Sequence, residues 1–221
     1  MNELYKLYKA RHLVNMIKGE FSNSAFEKLL KASGYDVLPY GYEITYREIC
    51  NDVRKGLGEA DIVRKYEDVK CGMHLDQIRS TPDLKIVNKE EGLEELVESK
   101  FAGETKDKQG NIIRSQSAND VSINREKLQS YQMYWENTIM VFTFAHLEDK
   151  KYHCIRAKDV TDDMIIEMHN KYDNYDISEK ARPLKYFFPR VSDELIKLNM
   201  ELVDDLQKDL LKPINPGWTI S

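Results

Sequence analysis

The chain has 221 residues, 41% of them hydrophobic and 32% charged, which suits one soluble domain with a sizeable core. Its formal net charge of −5 does not favour non-specific nucleic-acid binding, although a local basic patch can survive an acidic average. No apolar run approaches membrane-spanning length, the N-terminus lacks a secretory profile, and Cys50, Cys71 and Cys154 form neither a CxxC pair nor a disulfide framework, so a reducing cytoplasm and no membrane are expected.

Leu4, Leu7, Tyr8, Leu13, Val14 and Ile17 recur at helical spacing, and Gly19 follows them. Phe21-Ser22-Asn23-Ser24 reads as a polar break before a second helix, from about Ala25 to Ser33, with Gly34 as its C′ residue. Tyr35 to Tyr40 is a short extended piece. Residues 44–57 carry helical periodicity, and 59–80 are mixed.

Two β-like arms come next, Asp83 to Asn88 and Leu93 to Phe101, joined by the charged loop Lys89-Glu90-Glu91-Gly92. If Asn88 pairs with Leu93, Asp83 falls opposite Glu98. The period of two then puts Asp83, Glu98 and Lys100 on one face. Two carboxylates facing each other across a ladder repel unless a cation lies between them. Such oxygen ligands, with water and phosphate, suit Mg²⁺ or Mn²⁺ at about 2.0–2.1 Å.

Ala102 to Asp120 is polar and reads as a long loop, with a small hairpin at Asn111-Ile112-Ile113. Ser122 to Glu136 reads as a helix with Leu128, Tyr131 and Trp135 on one face. Thr138 to Phe144 is apolar enough for a central strand, and Lys151 to Ala157 is a further strand after a turn at Glu148-Asp149-Lys150. Thr161 is expected to cap another helix. Tyr172 to Arg182 reads as a polar connector. Leu195, Leu198, Leu202, Leu206 and Leu210 form a helical stripe ended by Pro213, read as a core face with a dimer contact as the second reading.

Pro82-Asp83 followed by Glu98-Ser99-Lys100 resembles the signature of the PD-(D/E)XK nuclease superfamily, whose fold is restriction-endonuclease-like. The order of elements agrees, because a helix precedes the hairpin and another follows it before the next strand. The resemblance implies an α/β fold: a central mixed β-sheet flanked by helices, in a single nuclease domain spanning 1–221. Its core would cover about 21–160, with 42–80 an insertion and about 161–221 a C-terminal helical addition. It implies a divalent-metal-dependent DNA endonuclease using Mg²⁺, with Mn²⁺ as a substitute. Asp83 and Glu98 would hold the metal with the backbone carbonyl of Ser99. Lys100 would position or deprotonate the attacking water, or stabilise charge in the transition state.

Glu27 matches the acidic residue that family members often carry on the preceding helix, although Ser24-x-x-Glu27 also has the form of a capping box. Recombination-type members use Gln-x-x-x-Tyr on the following helix. This chain has Lys127-x-x-x-Tyr131 there, which departs from that branch and leaves Lys127 and Gln129 to face the phosphate. Arg79, Lys85, Lys106, Lys108, Arg114 and Arg125 cluster around the hairpin and its loop and are the candidates for DNA-backbone contacts. Cys71-x-x-His74 lacks two further ligands for zinc. The expected partners are DNA and a second copy of the chain. Restriction-type and structure-specific cleavage both remain open, and the added segments favour a restriction-type or virus-type enzyme over a minimal resolvase. The alternatives are a non-catalytic nucleic-acid-binding or assembly module with the same fold, and an acidic helical interaction protein.

Overall fold

A computed structural model of the chain describes residues 20–21, 23–41, 55, 80–101, 105–106, 112–114, 120–144, 151–168 and 171–211. The expected helices over 1–20 and 44–57, the insertion at 42–80, the turn at 148–150 and Pro213 lie almost wholly outside them. Arg79 and Lys108 also lie outside.

Helix α1 (residues 23–32) forms because Ala25, Phe26, Leu29 and Leu30 recur on one face, and all four are buried. Residues 20 and 21 are already helical, so the polar break expected at 21–24 does not occur. Phe21 explains why, since it packs against the same core one turn before Ala25. Gly34, at φ +83°, ends the helix as expected, and the Tyr35 N–H donates back to Leu30 O at 3.1 Å.

Strand β1 (Asp36–Pro39) pairs antiparallel with β2 (Leu84–Asn88), which pairs antiparallel with β3 (Leu93–Phe101). The β2–β3 register is the one the sequence predicts: Asn88 faces Leu93 and Leu84 faces Val97. The turn between them is held by Asn88 Oδ1, which accepts from Glu90 N–H at 3.1 Å, and by Gly92 at φ +64°. Strands β4 (Thr105–Lys106) and β5 (Ile112–Arg114) form a small antiparallel pair in the segment read as a long loop.

The stretch read as one helix from Ser122 to Glu136 is a strand followed by a helix. Strand β6 covers Asp120–Asn124, and helix α2 covers Arg125–Tyr134. Val121 and Ile123 are buried two apart, a strand period, and Asn124 Oδ1 caps the helix by accepting from Lys127 N–H at 3.0 Å. Strand β7 (Ile139–Phe144) is buried along its whole length and runs parallel to β3, with β8 (Lys151–Arg156) antiparallel on its other side. Both strands are the ones expected, β7 from its apolar run and β8 from its place after the turn.

Thr161 takes the N-cap position as expected, but what it opens is short. Asp162–Met164 is one 3₁₀ turn, and Ile165–Met168 is strand β9. Tyr172–Asp176, read as a connector, is strand β10, the middle of a second sheet ordered β6-β10-β9. Its partners on both sides supply the ladder that its polar sequence does not announce. Strand β11 (Arg182–Pro183) completes a six-stranded mixed sheet ordered β1-β2-β3-β7-β8-β11. Helices α3 (Leu184–Phe187) and α4 (Asp193–Leu211) follow.

The sheet has two covered faces. On one, α1 and α4 lay Phe26, Leu30, Met200 and Val203 against Leu84, Ile86, Val97, Ile139 and Val141. On the other, Leu128 and Tyr131 of α2, with Val121, Ile123 and Tyr175 of the second sheet, cover Met140, Phe142, Phe144 and Ile155. Asn199 ties α4 down, donating to Ala25 O at 2.8 Å and accepting from Tyr152 OH at 2.5 Å. The leucine stripe on α4 is core-facing only in part: Leu195 packs against the core, whereas Leu198 is 62% exposed and Leu202 47%, and Met200 and Val203 are the buried residues beside them.

Candidate active site

Asp83 stands one residue before β2. Its carbonyl accepts from the N–H groups of Tyr40 (2.9 Å) and Gly41 (3.1 Å), so the end of β1 fixes its position. The β2–β3 ladder stops at Leu84–Val97, and the Asp83 side chain continues it, with Oδ2 accepting from Ser99 N–H at 3.1 Å.

Glu98 and Lys100 are in register with Met140 and Phe142 of the parallel neighbour, so both face α2. Glu98 is wholly buried. Its Oε1 receives two ammonium groups: Lys100 Nζ from its own strand and Lys127 Nζ from α2, the latter at 2.8 Å. A lone carboxylate could not be buried there at such depth without them. Lys127 Nζ also lies 5.4 Å from the centroid of the Tyr131 ring. Its place on the helix is set by the Asn124 cap and by Arg125, which grips the buried Asp173 of β10 through Nε (2.7 Å) and Nη2 (2.5 Å).

Burial, then the charge of Glu98, raises Asp83 from its ordinary 3.8 to about 7, while Lys100, Lys127 and the Ser99 N–H pull it back. Burial also pushes Glu98 upward, but the two ammoniums outweigh it and hold the group at about 2. Burial pulls Lys100 down, and the Glu98 and Asp83 charges more than compensate, so Lys100 stays an ammonium. Glu98 Oε2 and the Tyr131 hydroxyl are buried, and neither has a hydrogen-bond partner of ordinary geometry among the described residues. Burial first, and the neighbouring Glu98 charge next, push the Tyr131 phenol far above its usual range.

An open cavity of about 530 Å³ adjoins this cluster. Lys100, Lys127 and Tyr131 line it, together with Ser122 and Asn124 of β6 and Tyr172 of β10. No group of three or more His, Cys, Asp or Glu side chains forms a metal cage among the described residues. The donor set fits a hard divalent ion nonetheless: two neighbouring carboxylates, one of them with a buried oxygen, Glu98 Oε2, that has only the Tyr131 hydroxyl's loose approach and no hydrogen bond of ordinary geometry among the described residues. Mg²⁺ keeps several waters and needs only one or two carboxylates from the protein.

The structure brings Asp83, Glu98, Ser99, Lys100 and Lys127 together. Glu27 stays apart: α1 covers the opposite face of the sheet, and Glu27 pairs with Lys31 at 2.5 Å. Because Ser24 lies inside the helix, a capping box does not account for Glu27 either. Gln129 points to solvent and does not line the cavity. Lys85 shares the face of Asp83 but pairs with Glu94 at 2.5 Å, and Arg125 is engaged by Asp173. Lys106 and Arg114 fall on the β4–β5 pair. Tyr131 and the cavity walls were not anticipated as site residues. The i, i+4 spacing of Lys127 and Tyr131 is the one signal that places two of these groups side by side.

Comparison with protein-family models, with curated proteins and with solved structures found no match to this chain. No helix among the described residues is long and apolar enough to cross a membrane.

Proposed function

We propose that the chain is a divalent-metal-dependent DNA endonuclease of the PD-(D/E)XK type. One observation carries the reading: Asp83, Glu98 and Lys100 converge at one end of a hairpin, with Glu98 fully buried. The order of the elements on the central sheet also supports it: α1 precedes the β2–β3 hairpin, and α2 follows it, after the short strands β4 to β6, before β7, as a restriction-endonuclease-like core runs helix, hairpin, helix, strand.

Asp83, Glu98 and the Ser99 carbonyl would hold Mg²⁺ or Mn²⁺. The ion would polarise the phosphate, make water nucleophilic and stabilise the departing oxygen. The chain supplies the rest. Lys127 and Lys100 keep Glu98 ionised and bring two positive charges to the cavity where phosphate oxygens would sit. As an ammonium, Lys100 serves in charge stabilisation and water positioning rather than as a base. The Ser99 N–H orients Asp83. A homodimer and a cytoplasmic setting belong to the same proposal, with exposed Leu198 and Leu202 offering a face for the second copy.

A second reading has its own observation. Both lysines already neutralise Glu98, so the cluster could persist as a closed ion network in a non-catalytic binding or assembly module. Plasmid DNA and a single-stranded circle, each incubated with the protein in Mg²⁺ or Mn²⁺, separate the two, cutting of either one counting as cutting. We expect cutting that EDTA stops, and that Lys100→Ala and Asp83→Ala abolish while circular dichroism shows the fold retained. No cutting by the wild type, or undiminished cutting by both variants, overturns the nuclease reading.

A further inference from the structure

We infer that the cavity beside the ion cluster seats one unstacked nucleotide, so the favoured substrate is DNA with an unpaired strand rather than an intact duplex. This rests on the nuclease reading and narrows its substrate. The volume, about 530 Å³, lies within the ~300–1,000 Å³ of pockets that enclose a small molecule, more space than a lone phosphate requires. A base held in a duplex stack cannot enter a recess of this kind, whereas an extruded or single-stranded one can.

The lining has the chemistry of a nucleotide. Lys100 and Lys127 stand at the Glu98 end and meet a phosphate with two positive charges. Ser122 and Asn124 of β6 and Ser130 of α2 add hydroxyl and amide groups suited to a sugar and to base edges. Tyr172 is 50% exposed and pairs across the ladder with Asn124, so an aromatic ring stands beside the polar wall where a base could stack. Among the described residues, three arginines are held by acids rather than turned toward a duplex backbone. Arg125 grips Asp173, Arg156 grips Glu95 and Arg190 grips Glu90 and Glu91.

The test is binding without cleavage. In EDTA, fluorescence anisotropy with one labelled oligonucleotide compares the single strand, its blunt duplex, and a duplex carrying an unpaired tail. We expect the single strand and the tailed duplex to bind at least tenfold tighter than the blunt duplex. Tyr172→Ala should weaken single-strand binding about tenfold, the size of one lost stacking contact. Tyr172→Phe should retain it, and Ser122→Trp, which fills the cavity from its wall, should abolish the preference. Equal affinity for all three DNAs, or a preference untouched by both Tyr172→Ala and Ser122→Trp, overturns the inference. Plasmid cutting with Mg²⁺ alongside equal affinities would sink this inference and leave the nuclease reading intact. Single-strand preference without cutting of any DNA in any metal would sink the nuclease reading, and the substrate claim with it, leaving the cavity as a nucleotide-binding seat only.

Discussion

The Ser99 N–H donates to Asp83 Oδ2 at 3.1 Å, just past the point where the β2–β3 ladder ends. One acid is thereby tied to the strand that carries the other. Burial first, and the nearby Glu98 charge second, raise the Asp83 carboxyl to about 7 against the opposing pull of that N–H. The folded chain therefore holds a proton that the unfolded chain releases near 3.8. This contribution to stability is complete below 3.8, shrinks as pH rises, and is gone by about 7. In EDTA, the wild type should lose stability across this window by a few kcal/mol more than Asp83→Asn, measured by urea denaturation at a series of pH values. Parallel wild-type and variant curves would contradict it. Millimolar Mg²⁺ should raise Tm more at about pH 8 than at about pH 5.5, because binding requires the ionised carboxylate.

Removing either side of the Glu98 cluster has unequal costs. Glu98 is wholly buried, whereas the side chains of Lys100 and Lys127 are 35% and 36% exposed. The lysines can turn to water if the acid is lost, but the acid has nowhere to go. Glu98→Gln should therefore cost less than about 1 kcal/mol in EDTA, and the double variant Lys100→Met/Lys127→Met about 3–5 kcal/mol. Chemical denaturation of both proteins checks the order. Glu98→Gln as the more damaging change would refute this account of the cluster.

Gly92 sets the turn that aligns Asp83 with Glu98. It sits at φ +64°, and a Cβ there would meet nothing within 4 Å, so only backbone strain opposes a side chain. Gly92→Ala should lower stability by about 1–2 kcal/mol, and Gly92→Asn by less, since Asn tolerates this region. Any cleavage activity should survive both, because the ladder register is also fixed by Leu84, Ile86 and Val97 in the core.

What the sequence made legible was local. The hairpin register followed from loop length and alternation, and the apolar run of β7 announced a central strand. The site lies on that hairpin, so three of its members could be placed by counting. Failures came where long-range pairing decides. Ser122 to Asn124 has no local feature that forbids helix, and only β10 makes it a strand. Tyr172 to Asp176 is polar because Asp173 is answered by Arg125 and Asn174 by Glu167, partners on α2 and β9 that the segment's own sequence does not announce. On α4 the leucines outnumber the other apolar residues and drew the stripe through Leu198 and Leu202, whereas Met200 and Val203 join Leu195 on the core. Glu27 was assigned from its type and its helix, neither of which says which side of the sheet that helix covers.

The parallel pairing of β3 with β7 also sets an order of assembly. A hairpin closes from neighbouring residues, but β3 gains its second neighbour only after the chain has run out through β6 and α2 and returned. On a ribosome, Asp83 and Glu98 emerge well before Lys127, so the nascent hairpin carries two facing carboxylates with Lys100 alone to answer them. The last cation arrives with the helix that roofs the sheet, and the charged centre matures at the same moment as the hydrophobic layer above it.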